Sequence, residues 1–310
     1  MRKTLARVVP WVVTAAILVF LFSRISIHDV LEATRNAAGW FVPVTAAIVL
    51  AIYTVDSFAI WKTFGWFVAP MTFRETLTLR GVTMLLGLVN YTLGQGAFAY
   101  FLNRSRGVPL MRAAAAVLLV MGINLLALLL LSTAGLLLGD NAVPQLRTLI
   151  VVAYVGLGIY AALLAWRPAF LTRRPVLDVL LEAGIKGHVK ALLVRLPHIV
   201  TLLILNHVAL HAFGVHVPVF ATLVAMPIVF LLAVLPISFQ GLGPSQGMMV
   251  FFFERFAEGD YQHRSARVLA ASLGTQVVAW VVQIALGVIC MRSSLGRSMR
   301  QHPKEIESAS

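Results

Sequence analysis

Long apolar runs separated by short polar segments make up most of the chain. Six runs are long enough, or nearly so, to cross a bilayer as helices. They cover residues 8–23, 40–61, 113–138, 148–166, 199–214 and 266–291. A crossing needs about 20 predominantly apolar residues, so the first and fifth runs are short. The pattern predicts an all-α polytopic membrane protein with six spanning helices.

Two further apolar regions are interrupted near their centres by glycine and proline. Residues 73–103 are broken between Asn90 and Gly96, and residues 219–256 are broken between Pro236 and Pro244. Irregular backbone at membrane depth persists only where protein or a wet cavity satisfies its amides. We therefore expect two re-entrant helical hairpins, each of which enters and leaves the bilayer on one face.

The positions of the basic residues agree with this arrangement, because cytoplasmic loops are enriched in lysine and arginine. With two hairpins, Arg2 and Lys3, the stretch 167–195 and the tail 292–310 fall on the cytoplasmic side. Arg264 and its neighbour Arg267 are the exceptions. We expect cytoplasmic N- and C-termini in a bacterial inner membrane, with 292–310 a disordered tail. A signal peptide is the alternative for the first apolar run, but no small-x-small cleavage site follows it.

The order of the predicted elements repeats. Residues 1–138 and 148–291 each contain a span, a linker, a span, a hairpin and a span. The linkers at 28–33 and 177–183 have similar sequences, and both are amphipathic in a way that suits the membrane surface. Three spans per half give the halves opposite orientations. The chain is therefore predicted to be a single membrane domain with an inverted-topology repeat and a substrate near the repeat interface.

Composition supports the membrane assignment and narrows the set of partners. The chain is 60% hydrophobic and only 12% charged, with a net charge of +13. Its basic residues cluster in short loops, so we attribute them to orientation and to anionic lipid headgroups, and predict no nucleic-acid partner. Cys290 is the single cysteine, which excludes an intramolecular disulfide and a thiolate zinc cage. We predict neither a metal nor a cofactor.

The broken segments carry most of the residues expected to bind substrate. Amides at half-helix N-termini can face a phosphate, and nearby polar side chains can add hydrogen bonds. The first set is Asn90, Thr92, Gly94, Gln95 and Gly96. The second set is Pro236, Ser238, Gln240, Gly241, Gly243, Ser245 and Gln246. The alternative is that the glycines only allow close helix packing.

Four arginines are predicted at the inner mouth of the first hairpin, where they could hold a lipid phosphate by bidentate hydrogen bonds. They are Arg80, Arg104, Arg106 and Arg112. A role in setting the topology alone is the alternative.

Asp56 lies in the middle of a predicted span. An unpaired charge there costs roughly 2.5–3.5 kcal/mol on insertion scales, so we expect Asp56 to face the interior beside a partner such as Arg80. Proton coupling and a structural ion pair are both open. The other candidate coupling or buried polar residues are Asn124, Asn206, Glu254, Arg255 and Gln276. His207 and His211, four residues apart, are interpreted as interfacial histidines.

The segment from Leu235 to Gly247 resembles the transmembrane-region family of lysylphosphatidylglycerol synthases, the flippase part of the bacterial multiple peptide resistance factor. The stretches 73–77 and 103–108 are also similar to that family. The resemblance implies translocation of a membrane lipid. The sequence departs from the family pattern because the first break contains no acid and Gln246 replaces the acid after the second glycine pair.

From these features we expect the chain to flip or transport a lipid with an anionic or phosphate-bearing headgroup, and not to be an enzyme. Two alternatives are an integral-membrane transferase acting on a polyprenyl-linked lipid and a non-transporting accessory subunit. Such transferases usually need carboxylates near the membrane surface. The predicted outer loops offer few of them. A homodimer is left open.

Overall fold

The structure, a computed structural model, describes residues 14–15, 17–89, 91–138, 144–168, 175–234 and 242–293. Within these ranges, helices form nearly all of the regular structure, and an isolated antiparallel bridge joins Val215 to Ala257. The α-helices are α1 (Ile27–Arg35), α2 (Phe41–Phe67), α3 (Phe73–Val89), α4 (Tyr91–Arg106), α5 (Leu110–Leu138), α6 (Pro144–Trp166), α7 (Asp178–Ala212), α8 (Val219–Val234), α9 (Pro244–Phe253) and α10 (Tyr261–Arg292). The predicted all-helical class is confirmed.

Four of these helices, α2, α5, α7 and α10, are long and apolar enough to cross a membrane. The predicted spans 40–61, 113–138 and 266–291 lie within α2, α5 and α10. The predicted span 148–166 lies in α6, whose apolar part is shorter. Residues 14–15 and 17–23 of the first predicted span are helical, and its other residues lie outside the described ranges. The chain is a multi-pass membrane protein.

The fifth predicted span, 199–214, is only the end of a much longer helix. α7 contains 35 residues and is kinked at Gly184, whose φ of 55° favours glycine. The boundary at residue 199 was wrong because the sequence pattern treated the charges before it as a cytoplasmic loop. Arg195 and His198 are instead buried within the protein, 5% and 8% exposed.

The first predicted hairpin corresponds to two short helices, α3 of 17 residues and α4 of 16 residues. They approach closely near the break, because a Cβ placed on Gly94 would lie 2.8 Å from the Cα of Gly87. The second corresponds to α8 and the 10-residue α9. The segment between them, 235–241, lies outside the described residues. Re-entrant topology and the inverted repeat stay predictions.

Small residues also let α3 pack against α10. A Cβ on Gly81 would lie 2.4 Å from Cys290 Sγ, and one on Gly287 would lie 2.3 Å from Leu85. The Tyr53 hydroxyl donates to the carbonyl of Leu77 at 2.5 Å and so joins α2 to α3. In lipid, the hydrophobic effect does not drive helices together. They associate instead through close packing, which small residues allow.

Two polar caps mark the surface ends of helices. Ser26 accepts from the backbone N–H of Asp29 at 3.4 Å and begins the amphipathic α1. Asp260 accepts from the backbone N–H of His263 at 2.9 Å and begins α10. This hydrogen bond lowers the pKa of the Asp260 carboxyl from its ordinary value. The tail 294–310 lies outside the described residues.

The two glycines of the first break give a matched pair of substitutions. Gly94→Ala places a methyl group against the backbone of Gly87, and we expect a loss of about 1–3 kcal/mol of stability from overpacking. Gly96→Ala meets nothing within 4 Å, so its effect should be neutral or stabilising by up to about 1 kcal/mol. Thermal unfolding of the two purified variants in detergent measures this, and equal melting temperatures would contradict the close α3–α4 contact.

Candidate functional site: a buried charge cluster

The most buried carboxylate among the described residues belongs to Asp56, which is 1% exposed. Its Oδ2 accepts from Arg80 Nε at 2.5 Å, and its Oδ1 accepts from Arg195 Nη1 at 2.5 Å. The predicted pairing of Asp56 with Arg80 is therefore confirmed. Arg195, from the other half of the chain, is a second partner that the sequence did not reveal.

Two further polar side chains complete this cluster. Asn124 on α5 accepts from Arg195 Nε at 2.5 Å through its Oδ1 atom. The Nε2 atom of His198 lies 3.8 Å from Asp56 Oδ1, beyond ordinary hydrogen-bonding distance. We refer to Asp56, Arg80, Asn124, Arg195 and His198 as the charge cluster. It joins α2, α3, α5 and α7.

The charge cluster lies near the middle of the helices that form it. Asn124 is the central residue of the 29-residue α5, about 21 Å from either end at the usual helical rise. Asp56 lies two residues beyond the centre of α2. The cluster therefore lies near the middle of α2 and α5, two of the helices long enough to cross a membrane.

The formal charges of the cluster do not cancel. Asp56 carries one negative charge, whereas Arg80 and Arg195 carry one positive charge each. One positive charge is in excess when His198 is neutral. The space beside Arg195, lined in part by Thr63 and Val120, is too narrow for a water molecule. The cluster is thus closed at Arg195, whereas the Arg80 side chain is 13% exposed.

The arginines predicted at the inner mouth of the first hairpin are divided between two places. Arg80 is part of the buried charge cluster, so its predicted position at the mouth is wrong. Arg106 forms an ion pair with Glu75 at the start of α3. Arg112 binds Glu182 and the carbonyl oxygen of Phe67, both at 2.7 Å. Arg104 lies near the end of α4.

In the described part of the first break, residues 91–96, the backbone of α4 packs closely against α3 at Gly94. Gly94 is at the α3–α4 contact, Gln95 is half-buried on α4, and Gly96 is exposed. Asn90 and the side chain of Thr92 lie outside the described residues, so their predicted roles stay predictions.

The second break is described from Leu242 onwards, and its glycine and glutamine have structural partners. Gly243 has a φ of 91°, and a Cβ there would lie 2.9 Å from Ile17 of the N-terminal helical segment. Gln246 accepts from the backbone N–H of Gly243 at 2.7 Å and closes the start of α9. Ser245 is buried nearby. The remaining predicted residues, Pro236, Ser238, Gln240 and Gly241, lie outside the described ranges.

The other predicted polar residues are dispersed. Asn206 donates to the carbonyl of Leu202 within α7, and Gln276 is half-buried on α10. Glu254 accepts from the hydroxyl of Ser265 at 2.6 Å. Arg255 lies over the ring of Phe256 at 4.8 Å. In the structure none of these contacts reaches the charge cluster.

Comparison with protein-family models matches residues 7–287 to the lysylphosphatidylglycerol synthase transmembrane region. The chain belongs to this family. The match confirms the family suspected from the segment 235–247, and it identifies a membrane protein related to lipid handling. No curated protein and no solved structure matches the chain.

Arg195 is the residue of this family member that the sequence analysis missed. Its signal was available, because Ala191, Arg195 and His198 are spaced to face one side of a helix and continue directly into an apolar run. The topology argument used Arg195 as a cytoplasmic charge and so removed it from the candidates. Its partner Asp56 could not be assigned from sequence, since they lie far apart in the chain.

The excess positive charge predicts an asymmetric response to substitution. Asp56→Asn removes the carboxylate that Arg80 and Arg195 both contact, and we expect a loss of about 3–5 kcal/mol. Arg195→Gln leaves the Asp56–Arg80 pair intact and removes the excess charge, so its loss should be clearly smaller. Melting temperatures of the two purified variants in one detergent test this order, and a larger loss for Arg195→Gln would contradict the proposed charge balance.

Proposed function

We propose that this protein moves a lipid with an anionic, phosphate-bearing headgroup between the leaflets of the bilayer. The observation that carries the proposal is the charge cluster at mid-depth. Charges at such a depth are expensive, face protein interiors or wet cavities, and typically mark the pathway of a substrate or ion.

The sign of the cluster suits an anion. Within the charge cluster, two guanidiniums contact one carboxylate, that of Asp56. Guanidinium groups bind phosphate oxygens through paired hydrogen bonds. A lipid phosphate that passed this depth would therefore meet a positive charge, and the cost of bringing its own charge into the hydrocarbon would be partly offset.

The cluster also connects the two predicted halves of the chain. Asp56, Arg80 and Asn124 belong to residues 1–138, whereas Arg195 belongs to residues 148–291. Because the space beside Arg195 is too narrow for a water molecule, passage of a headgroup through this space requires α7 to move relative to α2 and α5. We propose that release of Arg195 from Asp56 and Asn124 is part of this opening.

Reconstituted vesicles containing trace phosphatidylglycerol with a fluorescent acyl chain test the proposal. A reductant added outside destroys only the outer-leaflet label, so translocation is measured as loss of the protected inner-leaflet fraction. We expect wild-type protein to remove this protection, and Arg195→Gln to slow the process by on the order of tenfold, equivalent to about 1.4 kcal/mol in the barrier. Arg74→Gln, which removes an exposed arginine from α3, is the matched control and should behave as wild type.

The assay is run without a gradient and with a pH gradient of either sign, because the energy source is unspecified. If wild-type vesicles keep their protected fraction as empty vesicles do under all three conditions, the proposed translocation is wrong. Conversion of a labelled lipid and donor into a new product by the same preparation would favour the transferase alternative.

A further inference from the structure

A long apolar groove lies between α5, α6, α7 and α8. It encloses about 770 Å³, within the usual range for ligand sites. Its lining is leucine, isoleucine, alanine and other apolar residues, with Ser132, Tyr160 and His188 as the polar side chains. Leu125 and Val189 in its wall are 51% and 50% exposed, so the groove is open to the surroundings of the protein.

The two ends of the groove differ chemically. At one end the Tyr160 hydroxyl and His188 Nε2 lie 2.8 Å apart, and His188 Nδ1 lies 2.7 Å from the carbonyl oxygen of Gly184 at the kink of α7. Arg167 reaches the same kink, with its Nη2 atom 3.4 Å from the position of a Cβ on Gly184. This end is therefore polar, with the Arg167 guanidinium outside the lining but close to the kink, whereas the remainder of the groove offers almost only hydrocarbon.

The groove runs along the membrane-spanning part of α5. Its wall extends from Leu118 to Ser132, about 21 Å along the helix axis. One leaflet contributes about 15 Å of hydrocarbon. At this depth the available apolar occupant is a lipid chain, because water in such a lining would lack hydrogen-bond partners.

We propose that the groove holds the hydrocarbon chain of an anionic lipid whose headgroup lies beside Tyr160, His188 and Arg167. The lipid is taken to be the cargo, so this assignment rests on the proposed translocation. Ile123 lines both the groove and the narrow space beside Arg195. A chain in the groove therefore lies one side chain away from the charge cluster.

Three glycines provide matched variants. Gly122 and Gly156 line the groove, and neither has an atom within 4 Å of an added Cβ. A Cβ at either position meets open space, so we expect a tryptophan there to extend into the groove. Gly158 is equally open but does not line the groove, so Gly158→Trp is the control on the same helix as Gly156.

The probe is phosphatidylglycerol with a photoreactive diazirine on one acyl chain, in phosphatidylcholine vesicles containing the full-length protein. Peptide mass spectrometry after illumination should place the label on the groove walls of α5, α6 and α8. Gly156→Trp and Gly122→Trp should each lower labelling by on the order of tenfold, because each would prevent burial of about two methylene groups of the acyl chain. Gly158→Trp should leave labelling unchanged. Melting curves check that each variant is folded, and either groove variant suffices if the other does not fold.

A second comparison tests the headgroup. Arg167→Gln should lower labelling by the phosphatidylglycerol probe but not by a phosphatidylcholine probe of the same chain. Lys190→Gln removes a charge whose Nζ lies 3.8 Å over Trp66, and it should change neither. Equal labelling by both probes in wild type would overturn the headgroup assignment.

The labelling and translocation experiments can fail independently, so they test the lipid-chain groove and the proposed translocation separately. Labelling spread over the outer surface, or unchanged in folded Gly156→Trp and Gly122→Trp, would overturn the groove even if translocation proceeds. Groove labelling in a wild-type protein that does not translocate lipid would support chain binding and remove the proposed function.

Discussion

One carboxylate shared by two guanidiniums is the constraint on which this structure depends. Asp56, which is 1% exposed, contacts Arg80 and Arg195 near the middle of α2 and α7, two helices long enough to cross a membrane. Each charge is tolerated at that depth because the others are present. The orientation of α2, α3 and α7 is therefore fixed by electrostatics at the centre, whereas apolar and small-residue packing determines most of the remaining contacts.

The sequence predicted the membrane class, the family and three of the spans because these follow from apolar run length and local motifs. It also predicted the pairing of Asp56 with Arg80, since a buried carboxylate requires a cation. It misplaced the start of α7 and missed Arg195. In the sequence, a charged residue that ends a spanning helix looks the same as one that is paired inside it. Only the partner in the folded protein distinguishes the two cases.

The sequence also could not distinguish residues that bind a substrate from residues that only support packing. Gly94, Gly243 and Gln246 were selected because glycine-rich breaks can expose backbone amides to a phosphate. In the structure Gly94 permits close approach of α3 and α4, whereas Gln246 occupies the N–H of Gly243. The groove along α5 had no sequence signal, because its lining residues are indistinguishable from ordinary lipid-facing positions until the helices are assembled. Ile123 of α5 lines both this groove and the narrow space beside Arg195.

The most direct test is to lock the charge cluster closed. Val120 on α5 and Ala191 on α7 both line the narrow space beside Arg195, so Val120→Cys and Ala191→Cys in a Cys290→Ala background are the positions to crosslink, by a disulfide or by a short bifunctional reagent. The lipid translocation rate of the crosslinked protein should fall to that of empty vesicles and, for the disulfide, return on reduction. An unchanged rate in fully crosslinked protein would show that lipid passes without opening of α7 from α5, and would contradict a pathway through the charge cluster.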